Sequence, residues 1–165
     1  MSYLTFMIDY YDMLPEVMAF VHGNNDQWHN TMPGSLNSEI LSGLRIDTVK
    51  AKGYLNLRCD WDPGCPTSVH PFNPTDTDIK SHDIRAYFAD VYMEIFNVTR
   101  EEVPEHIGGV CCAQFAVTRE RVRQRPRKDY KRMRSWAMNT DLDSFGVGWV
   151  FEKIWHLVFL ESAIL

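Results

Sequence analysis

Three short strand-like runs, set between stretches with helical spacing, constrain this chain more than any other feature. Val17 to Val21 is continuously apolar, Tyr54 to Arg58 carries Tyr and two Leu, and Val110 to Val117 is small and apolar. Continuous apolar runs of this length are the pattern of strands covered on both faces. Between them the period changes. Leu4, Met7, Ile8 and Tyr11 recur at helical spacing within Tyr3 to Leu14, so a helix is expected there, ending before Pro15. Ser38 can cap a short helix running to Leu44, and Ile84, Tyr87, Phe88, Val91, Tyr92 and Ile95 mark a longer amphipathic one. Strands alternating with helices specify the α/β class. At 165 residues, with neither repeats nor a linker, the expectation is one α/β domain spanning 1–165.

The remaining segments read as follows. Asp60-Trp61-Asp62-Pro63-Gly64-Cys65-Pro66 forces a turn. The stretch 67–81, with Pro71 and Pro74, is expected as a long surface loop. Thr99 and Glu102 have the spacing of a capping box. Thr118 begins a basic helix that Pro126 must interrupt or restart, with Tyr130, Met133 and Ala137 on its buried side. Gly146 and Gly148 are read as a flexible turn before a final helix over Val150 to Phe159.

Apolar residues at 45% and charged residues at 24% supply a real core and argue against disorder. No apolar run approaches the roughly 20 residues of a membrane span, and no secretory signal is visible, so the expected location is cytoplasmic, without membrane. In a reducing compartment disulfides are not the default. Cys59, Cys65, Cys111 and Cys112 match neither a zinc knuckle nor a CxxC pair; they read first as buried free thiols, with a Cys59–Cys65 staple or a metal site with His70 as lesser alternatives. The net charge of −5 hides an asymmetry. From Arg119 to Arg134 nine basic and two acidic residues give +7, leaving −12 on the rest. Such a patch can attract a phosphate-bearing ligand, or it can be the solvated face of a helix.

Three clusters carry candidate chemistry. Asp60 and Asp62 follow a strand, where two carboxylates can hold a divalent metal such as Mn or Mg against phosphates. Three such Asp-x-Asp spacings occur among thirteen Asp, and turn or cap roles account for them equally. His22, Asp26, Trp28, His29 and Asn30 gather beyond the carboxyl end of the first strand, where open α/β sheets bind ligands. A histidine there can serve as base or phosphate donor; the same groups can also simply bond a loop to the body. Glu152 and His156 are four apart, so a helix would turn both one way as an acid–base pair or a stabilising pair. No P-loop, GxGxxG, HExxH or GxSxG is present.

Four blocks together resemble one family. They are Leu14-Pro15 through Phe20-Val21-His22-Gly23 with Trp28-His29-Asn30; Gly53-Tyr54-Leu55-Asn56-Leu57-Arg58-Cys59 with Trp61 and Pro63-Gly64-Cys65-Pro66; Cys111-Cys112-Ala113-Gln114-Phe115-Ala116-Val117 with Arg119; and Val150-Phe151-Glu152 with Trp155-His156 and Phe159. As a set they resemble the mainly fungal domain of unknown function 3431 family. That resemblance implies an architecture similar to nucleotide-sugar (GT-A-like) transferases, with a mixed sheet flanked by helices, and a place in secondary-metabolite biosynthesis. It also implies relatives that make arginine-containing cyclodipeptides from charged tRNA. Against the family pattern an upstream strand and helix are missing, so a truncated GT-A-like domain is expected.

Three functions follow as expectations. The first is a group-transfer enzyme in which His22 and Asp26 line the crevice and Glu152 with His156 is the acid–base pair. The second is a tRNA-dependent peptide-bond former that uses Arg119, Arg123 and Arg127 on the acceptor RNA. The third is an inactive truncated paralogue that binds a partner through apolar surface.

Overall fold

The computed structural model describes residues 1–28, 30 and 36–165. Its sheet has three strands, β1 (Val17–Phe20), β2 (Tyr54–Asn56) and β3 (Phe115–Thr118), in the order β1-β3-β2. The α/β class is as expected, but both pairings are antiparallel, where a mixed sheet is expected. β3 lies in the centre and all four of its residues are buried. Its side chains alternate between two layers: Phe115 and Val117 enter the main core, whereas Ala116 joins a smaller cluster with Ile40, Val49 and Leu57.

The register stacks Phe20, Phe115 and Asn56 across the sheet, and Met18, Val117 and Tyr54 beside them. Phe115 is fully buried, with the rings of Phe20, Tyr54, Trp155 and Phe159 at centroid distances of 5.1 to 5.6 Å. Aromatic contacts at these separations add to the burial of apolar area.

The helices are α1 (Ser2–Asp9), α2 (Asn37–Ser42), α3 (Ile46–Lys52), α4 (Asp76–Lys80), α5 (Phe88–Phe96), α6 (Arg119–Arg123), α7 (Arg127–Asn139) and α8 (Ser144–Val158). α2 and α3 supply the minor cluster; α1, α5, α7 and α8 supply the main core. Several boundaries follow local chemistry as anticipated. Thr99 and Glu102 make their capping box, Thr118 Oγ1 accepts from the Arg121 N–H to open α6, and Pro126 stands at the N-cap of α7.

Other boundaries differ. α1 ends at Asp9, short of Pro15, and Ser38 lies inside α2 instead of capping it. The stretch 67–81 contains α4, opened by a Thr75–Asp78 capping box. Gly146 and Gly148 lie within α8, not in a turn, because Asp143 Oδ1 accepts from the Gly146 N–H at 2.7 Å and starts the helix there. β3 begins only at Phe115; the five residues before it leave the strand path, with φ of 86° at Cys112 and 50° at Ala113. There Cys111 and Cys112 are joined by a disulfide between adjacent residues, in place of the two free thiols expected; Cys59 and Cys65 form no disulfide among the described residues.

Candidate functional site

β1 ends at Phe20, and Val21, His22 and Gly23 run directly into the wall of a cavity of about 480 Å³. Its opposite wall comes from α8 and the segment before it: Leu142, Ser144, Val147, Phe151 and Trp155. A volume of this size, lined by polar and apolar surface in about equal measure, is within the range of small-ligand sites.

A chain of buried amides fixes the loop that carries His22. Gln114 Oε1 accepts from the His22 N–H at 3.0 Å, and Gln114 Nε2 donates to Asn30 Oδ1 at 2.7 Å. Asn30 Nδ2 donates to Asn37 Oδ1 at 2.8 Å, and Asn37 Nδ2 donates in turn to the carbonyls of His22 and Asn24. Asn30, Asn37 and Gln114 are each buried, and buried amides stabilise only when satisfied in this way. The His22 ring lies 2.7 Å from the Cys112 carbonyl through Nε2. A carbonyl only accepts, so neutral His22 carries its proton on Nε2 and its lone pair on Nδ1.

The other sequence candidates separate. Asp26 and Trp28 belong to the same loop and are exposed, Trp28 at 83%; His29 lies outside the described residues. Glu152 and His156 do not form an acid–base pair. Glu152 bonds Lys153 Nζ at 2.8 Å, whereas His156 is buried with Nε2 donating to the Ala163 carbonyl at 3.3 Å. Neither lines the cavity, for a reason of helix phase: Phe151 and Trp155 line it, and their successors are rotated by about 100° away. Burial pushes the His156 pKa down to about 4, so the ring is neutral at pH 7.

Asp60 and Asp62 are exposed in the turn after β2, and the Asp62 carbonyl accepts from Arg58. Among the described residues no group of three or more His, Cys, Asp or Glu is placed to hold a metal.

The basic segment is largely bonded within the fold, three of its arginines at helix ends. Arg125 donates from Nε and Nη2 to the Val158 and Leu157 carbonyls, closing α8; Arg132 does the same for Ile95 and Phe96 of α5. Arg121 reaches the Phe159 and Lys52 carbonyls, the latter ending α3. Arg123 bonds the Tyr11 and Asp12 carbonyls, Arg119 the Leu14 carbonyl, and Arg127 the Asp12 carboxylate. The last carbonyls of a helix lack partners within it and sit at the negative end of its dipole, so a guanidinium fork is a fitting cap. Among Arg119, Arg123 and Arg127 every side chain thus has a partner within the fold.

Sequence reasoning missed Asn37 and Cys112 as parts of this site. Asn37 reads as an ordinary helix start, and nothing local marks the Cys112 carbonyl as the acceptor for His22. Gln114, a lone amide inside an apolar run, was the signal that a buried polar partner must exist.

A family model described as protein of unknown function (DUF3431) matches residues 1–165, the whole chain. No curated protein and no solved structure matches it.

Proposed function

The chain belongs to the DUF3431 family, and we propose that it is a group-transfer enzyme acting on small molecules, of the kind used in secondary-metabolite biosynthesis. One observation carries this reading: an imidazole bonded through Nε2 to the Cys112 carbonyl, on a loop whose backbone is fixed by buried amides, at the wall of a cavity of about 480 Å³. In this reading His22 is the general base that takes a proton from an acceptor hydroxyl or amine as the group arrives. Phe151, Trp155, Val147 and Leu142 favour an acceptor with an apolar ring. Ser144 and the loop bearing Asp26 and Trp28 would meet its polar end. The tRNA-dependent alternative draws less support, because the arginines it needs are bonded to carbonyls and carboxylates of the fold.

The test is thermal unfolding of the wild type and of His22→Gln with nucleoside diphosphates, with nucleotide-sugars and with tRNA, each with and without manganese. A ligand at ~100 times its Kd adds about 2.7 kcal/mol, roughly 5–10 °C for a domain of this size. A shift with a small phosphate-bearing ligand, reduced in His22→Gln, is the expected result. A shift with tRNA alone, falling steeply with salt, would overturn the reading in favour of the RNA-dependent one.

A further inference from the structure

The disulfide between Cys111 and Cys112 closes a ring that contains only those two residues. A cross-link stabilises a fold by restricting the unfolded chain, and that effect grows with the length of the loop it closes. With no residues between the cysteines, the bond restrains almost nothing beyond the local backbone. Its effect is instead on the carbonyl of Cys112, which holds the His22 ring, and on the positive φ at Cys112 and Ala113, a conformation that side-chain-bearing residues adopt at a cost.

Arg58 faces the same pair. Its Nη1 lies 3.2 Å from Cys111 Sγ and 3.5 Å from Cys112 Sγ, and its Nε is buried without a hydrogen-bond acceptor among the described residues. No ion pair of Arg58 occurs among the described residues. A neutral disulfide offers a guanidinium little, whereas a thiolate in the same place would be a charge-assisted partner. The cation is therefore better matched to the reduced pair than to the oxidised one.

We infer that Cys111 and Cys112 form a redox-active site, reduced by a dithiol, whose state sets the position of the Cys112 carbonyl on His22. In the exchange a thiolate of the external dithiol attacks one sulfur and the Cys111–Cys112 bond breaks. The resulting mixed disulfide is then displaced by the second thiol of the dithiol. Two electrons and two protons pass to the cysteine pair and the external dithiol leaves as a disulfide. Opening the ring frees Cys112 and Ala113 to leave positive φ, which withdraws the carbonyl from His22 Nε2. The redox step involves only the cysteines and the ring they hold, and is independent of the group transferred in the cavity.

The experiment equilibrates the whole protein with reduced and oxidised dithiothreitol in varied ratio, quenches with acid, alkylates in denaturant and maps the modified peptides. At the oxidising end only Cys59 and Cys65 are expected to be alkylated. Towards the reducing end Cys111 and Cys112 become alkylated together, as a two-electron transition. Arg58→Met, with Arg58→Lys as the variant that keeps the charge, should raise the dithiol ratio needed at the midpoint roughly tenfold, the size of one charge-assisted hydrogen bond; the lysine form should recover part of it. Reduction should also shift the His22 imidazole NMR signals, and Cys111→Ser with Cys112→Ser should abolish the response. Four alkylated cysteines at the oxidising end would overturn the inference. So would a pair that stays bonded in fully reduced dithiothreitol, or His22 signals that ignore reduction.

Discussion

His156 offers the cleanest quantitative test of the fold. Its ring is 2% exposed, between α8 and the chain's last residues, with one hydrogen bond to the Ala163 carbonyl. Its pKa in the folded state is about 4, against an ordinary 6.5, because burial disfavours the charged ring. Between those two values the unfolded chain binds a proton that the folded one refuses, so stability falls as pH is lowered. Above pH 6.5 the contribution is complete; it drains away between 6.5 and about 4. At about 1.4 kcal/mol per pH unit the loss is about 3 kcal/mol over that window. Urea unfolding of the wild type and of His156→Gln, followed by tryptophan fluorescence from pH 7.5 to 4.5, isolates it. Glutamine keeps an amide donor for Ala163 and does not titrate, and carboxylate effects common to both proteins cancel in the difference. The variant should be the less stable of the two at pH 7.5 and should close the gap, or overtake the wild type, by pH 4.5. Parallel stability–pH curves for the two proteins would refute a buried neutral His156.

Three other outcomes follow from the same contacts. Gln114→Leu strands the His22 N–H and the Asn30 carbonyl oxygen; calorimetry should show a loss of about 2–3 kcal/mol, along with any ligand-induced shift in melting. Arg125→Met removes the caps on Leu157 and Val158 and should cost about 2–3 kcal/mol, whereas exposed Lys128→Met should stay within about 0.5 kcal/mol; equal effects would mean that the basic segment does not work as helix caps. Gly108→Ala would drive its Cβ into the Pro66 carbonyl, so chemical denaturation should reveal a loss of at least about 2 kcal/mol.

What was legible in the sequence is what is encoded within a few residues. Val17 to Phe20, Tyr54 to Asn56 and the α5 stripe declare themselves by period. Thr99 with Glu102, Thr118 and Pro126 mark helix starts because the groups they bond lie within one turn. His22 could be placed just beyond the end of a strand on the same grounds. The phase of α8 was not legible to better than a turn. Reading Gly146 and Gly148 as a break hid the Asp143 cap, and a residue's position around the helix decides whether Trp155 or His156 meets the cavity.

The arginines show the limit most sharply. Nine basic residues in sixteen fix the charge of the segment, but a charge does not name its partner. The carbonyls that Arg121, Arg123, Arg125 and Arg132 answer lie 32 to 112 residues away in sequence. Likewise the amide chain through Asn30, Asn37 and Gln114, and the hold of Cys112 on His22, exist only once β1 and β3 are paired. The sequence by itself determined the α/β class, the strand cores and the starts of α6 and α7, because periodicity and capping are local hydrogen-bond and burial effects. Only the tertiary structure decided which polar groups are neutralised inside the fold and which stand at the cavity wall, because desolvation and charge pairing depend on neighbours brought together through space.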